Sequence, residues 1–236
     1  MRLVFCLVVL CGAAAAQAPT LTVHPLDTTI RDVAVSRDGA RLYLAAPAER
    51  TVLVYARATM TREARWLLDA APAHLALSGD GATLAVLLRE TQTVVTLDAL
   101  DGSERARYTT GDGPTALTAL PGGGFAVANS FSDTLTLIED GSARTVADMP
   151  VVPTALAASG DTLAVAGKAA AQVVLVARDT GARMATVSLP GIPEQLVALP
   201  GGRFAVRLTD ELVIVNAQGT RVDTWPGSYS HIAGTA

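Results

Sequence analysis

The chain has 236 residues, two cysteines and a formal net charge of −4, and Lys168 is its one lysine. Half of it is hydrophobic and 4% is aromatic. That is enough chain for a sizeable core, but it is poor in the aromatic surfaces that line a carbohydrate groove. No Lys/Arg-rich stripe is present, which argues against nucleic acid as a partner, since phosphate binding needs clustered positive charge.

Residues 1–16 read as a signal peptide. Arg2 supplies the positive start, Leu3 to Leu10 the apolar run, and Ala14 and Ala16 the small residues of a cleavage site. Cleavage leaves Gln17 at the new N-terminus, and residues 17–236 form one domain. Leu10 stands before Cys11, where a lipoprotein signal expects a small residue, so no lipid anchor is expected. Cys6 and Cys11 both leave with the signal, so the exported chain is held by its core and not by disulfides. The expected location is periplasmic or secreted, with no membrane attachment after cleavage.

The mature chain repeats a unit about every forty residues. Its copies are Asp32 to Ala46, His74 to Leu88, Ala116 to Ser130, Ala155 to Gly167 and Gln195 to Leu208. Each opens with two short apolar strands joined at a turn: Asp38-Gly39, Gly79-Asp80-Gly81, Pro121-Gly122-Gly123, Gly160-Asp161 and Pro200-Gly201-Gly202. Such turns supply positive φ for tight hairpins. The third strand is predicted at Thr51 to Ala56, Thr93 to Leu97, Thr134 to Ile138, Gln172 to Ala177 and Glu211 to Asn216. A fourth carries Trp66 in the first unit and Trp225 in the fifth, read as packing residues. Pro72, Pro114, Pro153 and Pro193 mark the loops between units, because proline cannot donate to a ladder.

Strand-built repeats of this period mean a β-propeller. The expected fold is all-β, with about five full four-stranded blades and partial strands at Leu21 to Thr28 and Ser230 to Gly234. The leftover strands favour a truncated or incomplete ring over closure with five or six blades. An incomplete ring leaves open edges that invite oligomers.

The segment Phe125 to Gly141, FAVANSFSDTLTLIEDG, resembles the YVTN family of propeller repeats. Phe125, Val127, Ala128 and Asn129 match that family's first strand, and Asp133, Thr134, Leu135, Leu137 and Ile138 its second. The resemblance covers most of the mature chain as a pattern. It implies a propeller that usually closes with about seven blades. It also implies two alternative activities, a lactonase-like hydrolase of sugar lactones or an accessory propeller of a periplasmic redox system.

In a propeller, the starts of the first strands and the loops between second and third strands share one rim. The ligand-binding candidates there are Asp32, His74, Arg89, Asn129, Lys168, Arg207 and His231. His74 and His231 occupy equivalent positions near Asp32, which suggests either a His/Asp site for a metal or for acid–base work, or simply polar residues at a solvated mouth. Arg89, Lys168 and Arg207 could form a positive ring for an anion, or be balanced by Glu49, Glu90 and Asp210. Asp38 and Asp80 lack the further carboxylates of a calcium loop. No nucleophile elbow, zinc helix, phosphate loop or haem-attachment motif appears. No catalytic residue, metal or cofactor is therefore assigned. The leading expectation is a binding or scaffold module that holds a protein or a small anionic ligand on its rim.

Overall fold

The computed structural model describes residues 26–150, 152–229 and 231–232. Twenty strands form five four-stranded antiparallel sheets, each made of four consecutive strands. Blade 1 is β1 (Asp32–Val35), β2 (Arg41–Ala46), β3 (Thr51–Ala56) and β4 (Thr61–Leu67). Blade 2 is β5 (Pro72–Leu77), β6 (Thr83–Leu88), β7 (Thr93–Asp98) and β8 (Glu104–Thr109). Blade 3 is β9 (Pro114–Ala119), β10 (Phe125–Asn129), β11 (Thr134–Glu139) and β12 (Ser142–Val146). Blade 4 is β13 (Pro153–Ser159), β14 (Thr162–Gly167), β15 (Gln172–Ala177) and β16 (Arg183–Ser188). Blade 5 is β17 (Gln195–Leu199), β18 (Arg203–Arg207), β19 (Glu211–Asn216) and β20 (Arg221–Pro226).

The two middle strands of each blade are apolar on both faces, because both faces are covered. Phe125 to Asn129 and Thr162 to Gly167 are buried along their whole length. Four apolar clusters join the blades in chain order. Tyr43, Val54 and Trp66 meet Leu84 and Val86 between blades 1 and 2. Leu87 and Val94 meet Phe125 and Val127 between blades 2 and 3. Leu135 and Leu137 meet Leu163 and Val174 between blades 3 and 4. Val173 and Leu175 meet Phe204 and Val213 between blades 4 and 5. Each buried side chain of this size stabilises the fold by about 1.5–3 kcal/mol. The inner strands β1, β5, β9, β13 and β17 pack on one another in that order, whereas β17 is not packed on β1 in the same manner.

The outermost strands are half exposed, and Trp66 fits the packing role assigned to it. Its ring lies 5.7 Å from that of Tyr43, and Tyr43 Oη donates to Ala99 O in blade 2 at 2.8 Å. Gly102, with φ +78°, leaves room for the indole; a Cβ there would stand 2.3 Å from it. Trp225 is half exposed instead, with Nε1 donating to Asp223 Oδ2 at 2.7 Å.

Three of the prolines differ from their expected place. Pro72, Pro114 and Pro153 do not lie in loops but are the first residues of β5, β9 and β13. In each case the register shifts beside the proline pair. A first strand position next to a bulge needs no N–H donor, so the strand tolerates proline there. Pro193 precedes β17 as expected.

Of the two predicted partial strands, 21–25, Ser230 and 233–234 lie outside the described residues. Residues 26–28 and 231–232 form no strand. They are nonetheless packed. Leu26 and Ile30 cover the outward face of blade 1 at Leu42, Leu44 and Leu53. Tyr229 and Ile232 cover that of blade 5 at Leu212 and Ile214.

Candidate ligand site on the upper rim

The upper rim carries the starts of the inner strands and the loops between second and third strands. Asp32 and His74 do come together, from the first positions of β1 and the third of β5. His74 Nδ1 lies 3.3 Å from Asp32 Oδ2, and both side chains are about one-third exposed. The carboxylate is already engaged by backbone. Its Oδ1 accepts the Val33 N–H at 2.8 Å and its Oδ2 the Leu75 N–H at 2.9 Å. Asp32 therefore ties the inner strand of blade 1 to that of blade 2 and at the same time orients the imidazole.

Arg207, Asp133 and Thr115 are also used as ties. Arg207 is mostly buried. It pairs with Glu194 at 2.5 Å, and its Nη1 donates to Tyr229 O at 2.9 Å. Its charge is thus neutralised within blade 5 rather than offered to a ring of cations. Asp133 Oδ1 accepts the Val152 N–H at 2.8 Å, and Thr115 Oγ1 donates to Pro153 O at 2.8 Å, joining blades 3 and 4.

Asn129 is fully buried. Its Nδ2 donates to Thr134 Oγ1 at 3.1 Å and Thr136 Oγ1 at 3.0 Å. The Gly111 N–H donates to the same Thr136 hydroxyl at 3.2 Å. Asn129 Oδ1 is buried without a hydrogen-bond partner. This side chain faces its own blade and not the open rim.

Lys168 is exposed at the turn between β14 and β15, where its backbone N–H donates to Val152 O at 3.0 Å. His231 is exposed beside Ile232. The segment holding it is fixed by Gln195, whose Oε1 accepts the Ile232 N–H at 2.9 Å and whose Nε2 donates to Ile232 O at 3.0 Å. Among the described residues, no group of three or more His, Cys, Asp or Glu converges as a metal site.

The rim cavity lies to one side of these ties, over blades 1 to 3. It has a volume of about 440 Å³ and is lined by Arg31, Pro47, Pro72, Arg89, Gln92 and Phe131 among others. Arg89 is the one sequence candidate in it. Among the described residues neither Arg31 nor Arg89 forms an ion pair. Glu90 is the single carboxylate of the lining, so the cavity carries an excess of positive charge. Phe131 is 83% exposed and lies against Gly113, whose φ is +63° and where a Cβ would stand 2.5 Å from the ring. Two guanidinium groups, an amide and an exposed ring can bind an anionic group attached to a flat apolar body.

Sequence reading missed Arg31, Gln92 and Phe131. Arg31 and Gln92 flank positions that were singled out, and an exposed phenylalanine in a polar loop is the signal that could have marked the third.

No protein-family profile matches the chain. No curated protein matches it either. Solved structures do. Hydrazine synthase of Kuenenia stuttgartiensis superposes with a TM-score of 0.72 at 19% identity, over 83% of this chain and 65% of that one. Virginiamycin B lyase from Staphylococcus aureus gives 0.73 at 14% identity, over 85% and 71%. A chain of the mitotic checkpoint complex gives 0.77 at 15% identity, over 92% and 71%. The likeness is one of fold, a β-propeller, and the chain spans just under two thirds of the hydrazine synthase chain.

Proposed function

We propose that this chain is an exported binding propeller with YVTN-type repeats. Its upper-rim cavity holds a carboxylate- or phosphate-bearing group of a small ligand or a partner protein. Export rests on residues 1–16, and the repeat type on Phe125 to Gly141. The observation that carries the reading is the cavity holding Arg31 and Arg89 without ion-pair partners, beside the exposed ring of Phe131. Half of the described arginines form no ion pair, and of these Arg31 and Arg89 are the two that line this cavity together. Two guanidinium groups against one carboxylate around a single cavity favour a negative occupant. The scaffold role of a propeller is consistent with the fold but not specific to it.

Titration with phenyl phosphate, followed by calorimetry, tests the proposal. Saturable one-to-one binding is expected. Each of Arg31→Ala and Arg89→Ala should weaken it roughly tenfold or more, the size of a charge-assisted hydrogen bond of about 1.5–3 kcal/mol. Phe131→Ala should weaken phenyl phosphate but not inorganic phosphate. Absence of saturable binding, or full binding by the double arginine variant, overturns the assignment.

A further inference from the structure

The opposite end of the channel has different chemistry. A cavity of about 620 Å³ opens there, lined by the lower ends of the inner strands of blades 2 to 5 and by their turns. Its walls include Leu77, Leu156, Leu196 and Leu199, with Ala158 and Ala198 between them. No Asp, Glu, Lys, Arg or His contributes to the lining. This is unusual for the open mouth of a channel, which normally carries polar side chains. Ala158 packs toward blade 3 and Ala198 toward blade 4, and neither fills the wedge.

We propose that this lower cavity is a second ligand site, and that it takes an uncharged, largely apolar small molecule. Three observations carry the inference. The volume lies within the roughly 300–1,000 Å³ of small-molecule sites. The lining offers no counter-charge, so an ion entering it would lose hydration without compensation. The polar groups are all neutral: the Thr118 and Ser159 hydroxyls, turn backbone, and the edge backbone of the inner strands, which can meet one or two hydrogen-bonding groups of a ligand. An apolar molecule with one or two hydrogen-bonding groups matches a lining of leucine and alanine side chains with neutral backbone at its margin. The site is independent of the cationic rim cavity, with which it shares no lining residue.

The test uses N-phenyl-1-naphthylamine, an uncharged dye whose fluorescence rises in apolar surroundings, on the full chain. Saturable one-to-one enhancement is expected, weakened at least tenfold in Ala158→Phe and in Ala198→Phe and unchanged in Arg89→Ala. The anion 2-naphthoate should bind at least tenfold more weakly than the dye. Should a phenylalanine variant lose the wild-type circular dichroism spectrum, Ala198→Ser decides in its place: it introduces a hydroxyl at nearly constant volume and should weaken the dye at least threefold. No saturable enhancement, or undiminished binding in an Ala158→Phe, Ala198→Phe or Ala198→Ser variant that keeps the wild-type spectrum, overturns the site. Binding of 2-naphthoate as tight as that of the dye overturns the uncharged class.

Discussion

Gln195 holds Ile232 from both sides: its amide oxygen accepts the Ile232 N–H at 2.9 Å and its amide nitrogen donates to the Ile232 carbonyl at 3.0 Å. The arrangement repeats a contact at the other end of the chain. There the Asp32 carboxylate accepts the Leu75 N–H at 2.9 Å. Asp32 and Gln195 are equivalent first-strand residues, and Leu75 and Ile232 each follow a histidine. Residues 231–232 therefore stand beside blade 5 as the inner strand of blade 2 stands beside blade 1.

This relationship predicts the behaviour of the segment after blade 5. In Gln195→Ala, amide exchange at Ile232 should rise roughly fivefold, the equivalent of one hydrogen bond worth about 1 kcal/mol. Gln195→Glu keeps the acceptor and should restore most of the protection. Hydrogen exchange read by mass spectrometry on the C-terminal peptide measures both. Equal exchange in wild type and Gln195→Ala would show that the apolar contacts of Tyr229 and Ile232 alone hold the segment.

Asn129 should behave as a stabilising residue. Replacement by alanine removes the amide that donates to the Thr134 and Thr136 hydroxyls, leaving Thr136 the Gly111 N–H alone. Urea unfolding should register a loss of about 1–3 kcal/mol. Phenyl phosphate affinity should stay within twofold of wild type, and a larger change would return Asn129 to the binding surface.

Two turns predict a pH dependence. Ser36 Oγ donates to Asp38 Oδ1 at 2.6 Å, and Ser78 Oγ to Asp80 Oδ1 at 2.5 Å. These hydroxyls, followed by the Ala40 and Ala82 backbone N–H groups, hold both carboxyls below their ordinary 3.8. A carboxyl lowered in the folded state adds stability that is complete above the unfolded value. That stability is lost as pH falls through the folded one. The melting-temperature gap between wild type and the Ser36→Ala, Ser78→Ala double variant should be constant from pH 7 to about 5. It should narrow below about 3.8. A gap that ignores pH would mean that the serines act only as acceptors for the Arg41 and Thr83 backbone N–H groups.

The strands were legible because period-two patterning and glycine turns are local. Thr51 to Ala56, Gln172 to Ala177 and Glu211 to Asn216 are strands over the ranges expected. Repeat alignment also brought Asp32 to His74, since equivalent positions in adjacent blades are neighbours. It could not show that Arg207 meets Glu194 or that Asn129 turns toward its own threonines. Those outcomes depend on side-chain direction within a blade, which the alignment leaves open. The cavity was missed for a related reason. It takes Arg31 from just before a first strand and Gln92 and Phe131 from two loops between second and third strands, and none of the three repeats a residue type found at the same place in the other units.

The four apolar clusters link blade 1 to 2, 2 to 3, 3 to 4 and 4 to 5, and each is shared by two neighbours only. Cohesion in such a stack is a chain of pairwise couplings. A blade in the middle is supported twice and an outer one once. A lesion at one junction leaves the remaining junctions with their full strength, so loss of order should spread as fraying inward from the flanks rather than as a single collapse. The upper cavity would then lose its shape with blade 1 and the lower one with blade 5, each through the flank it leans on.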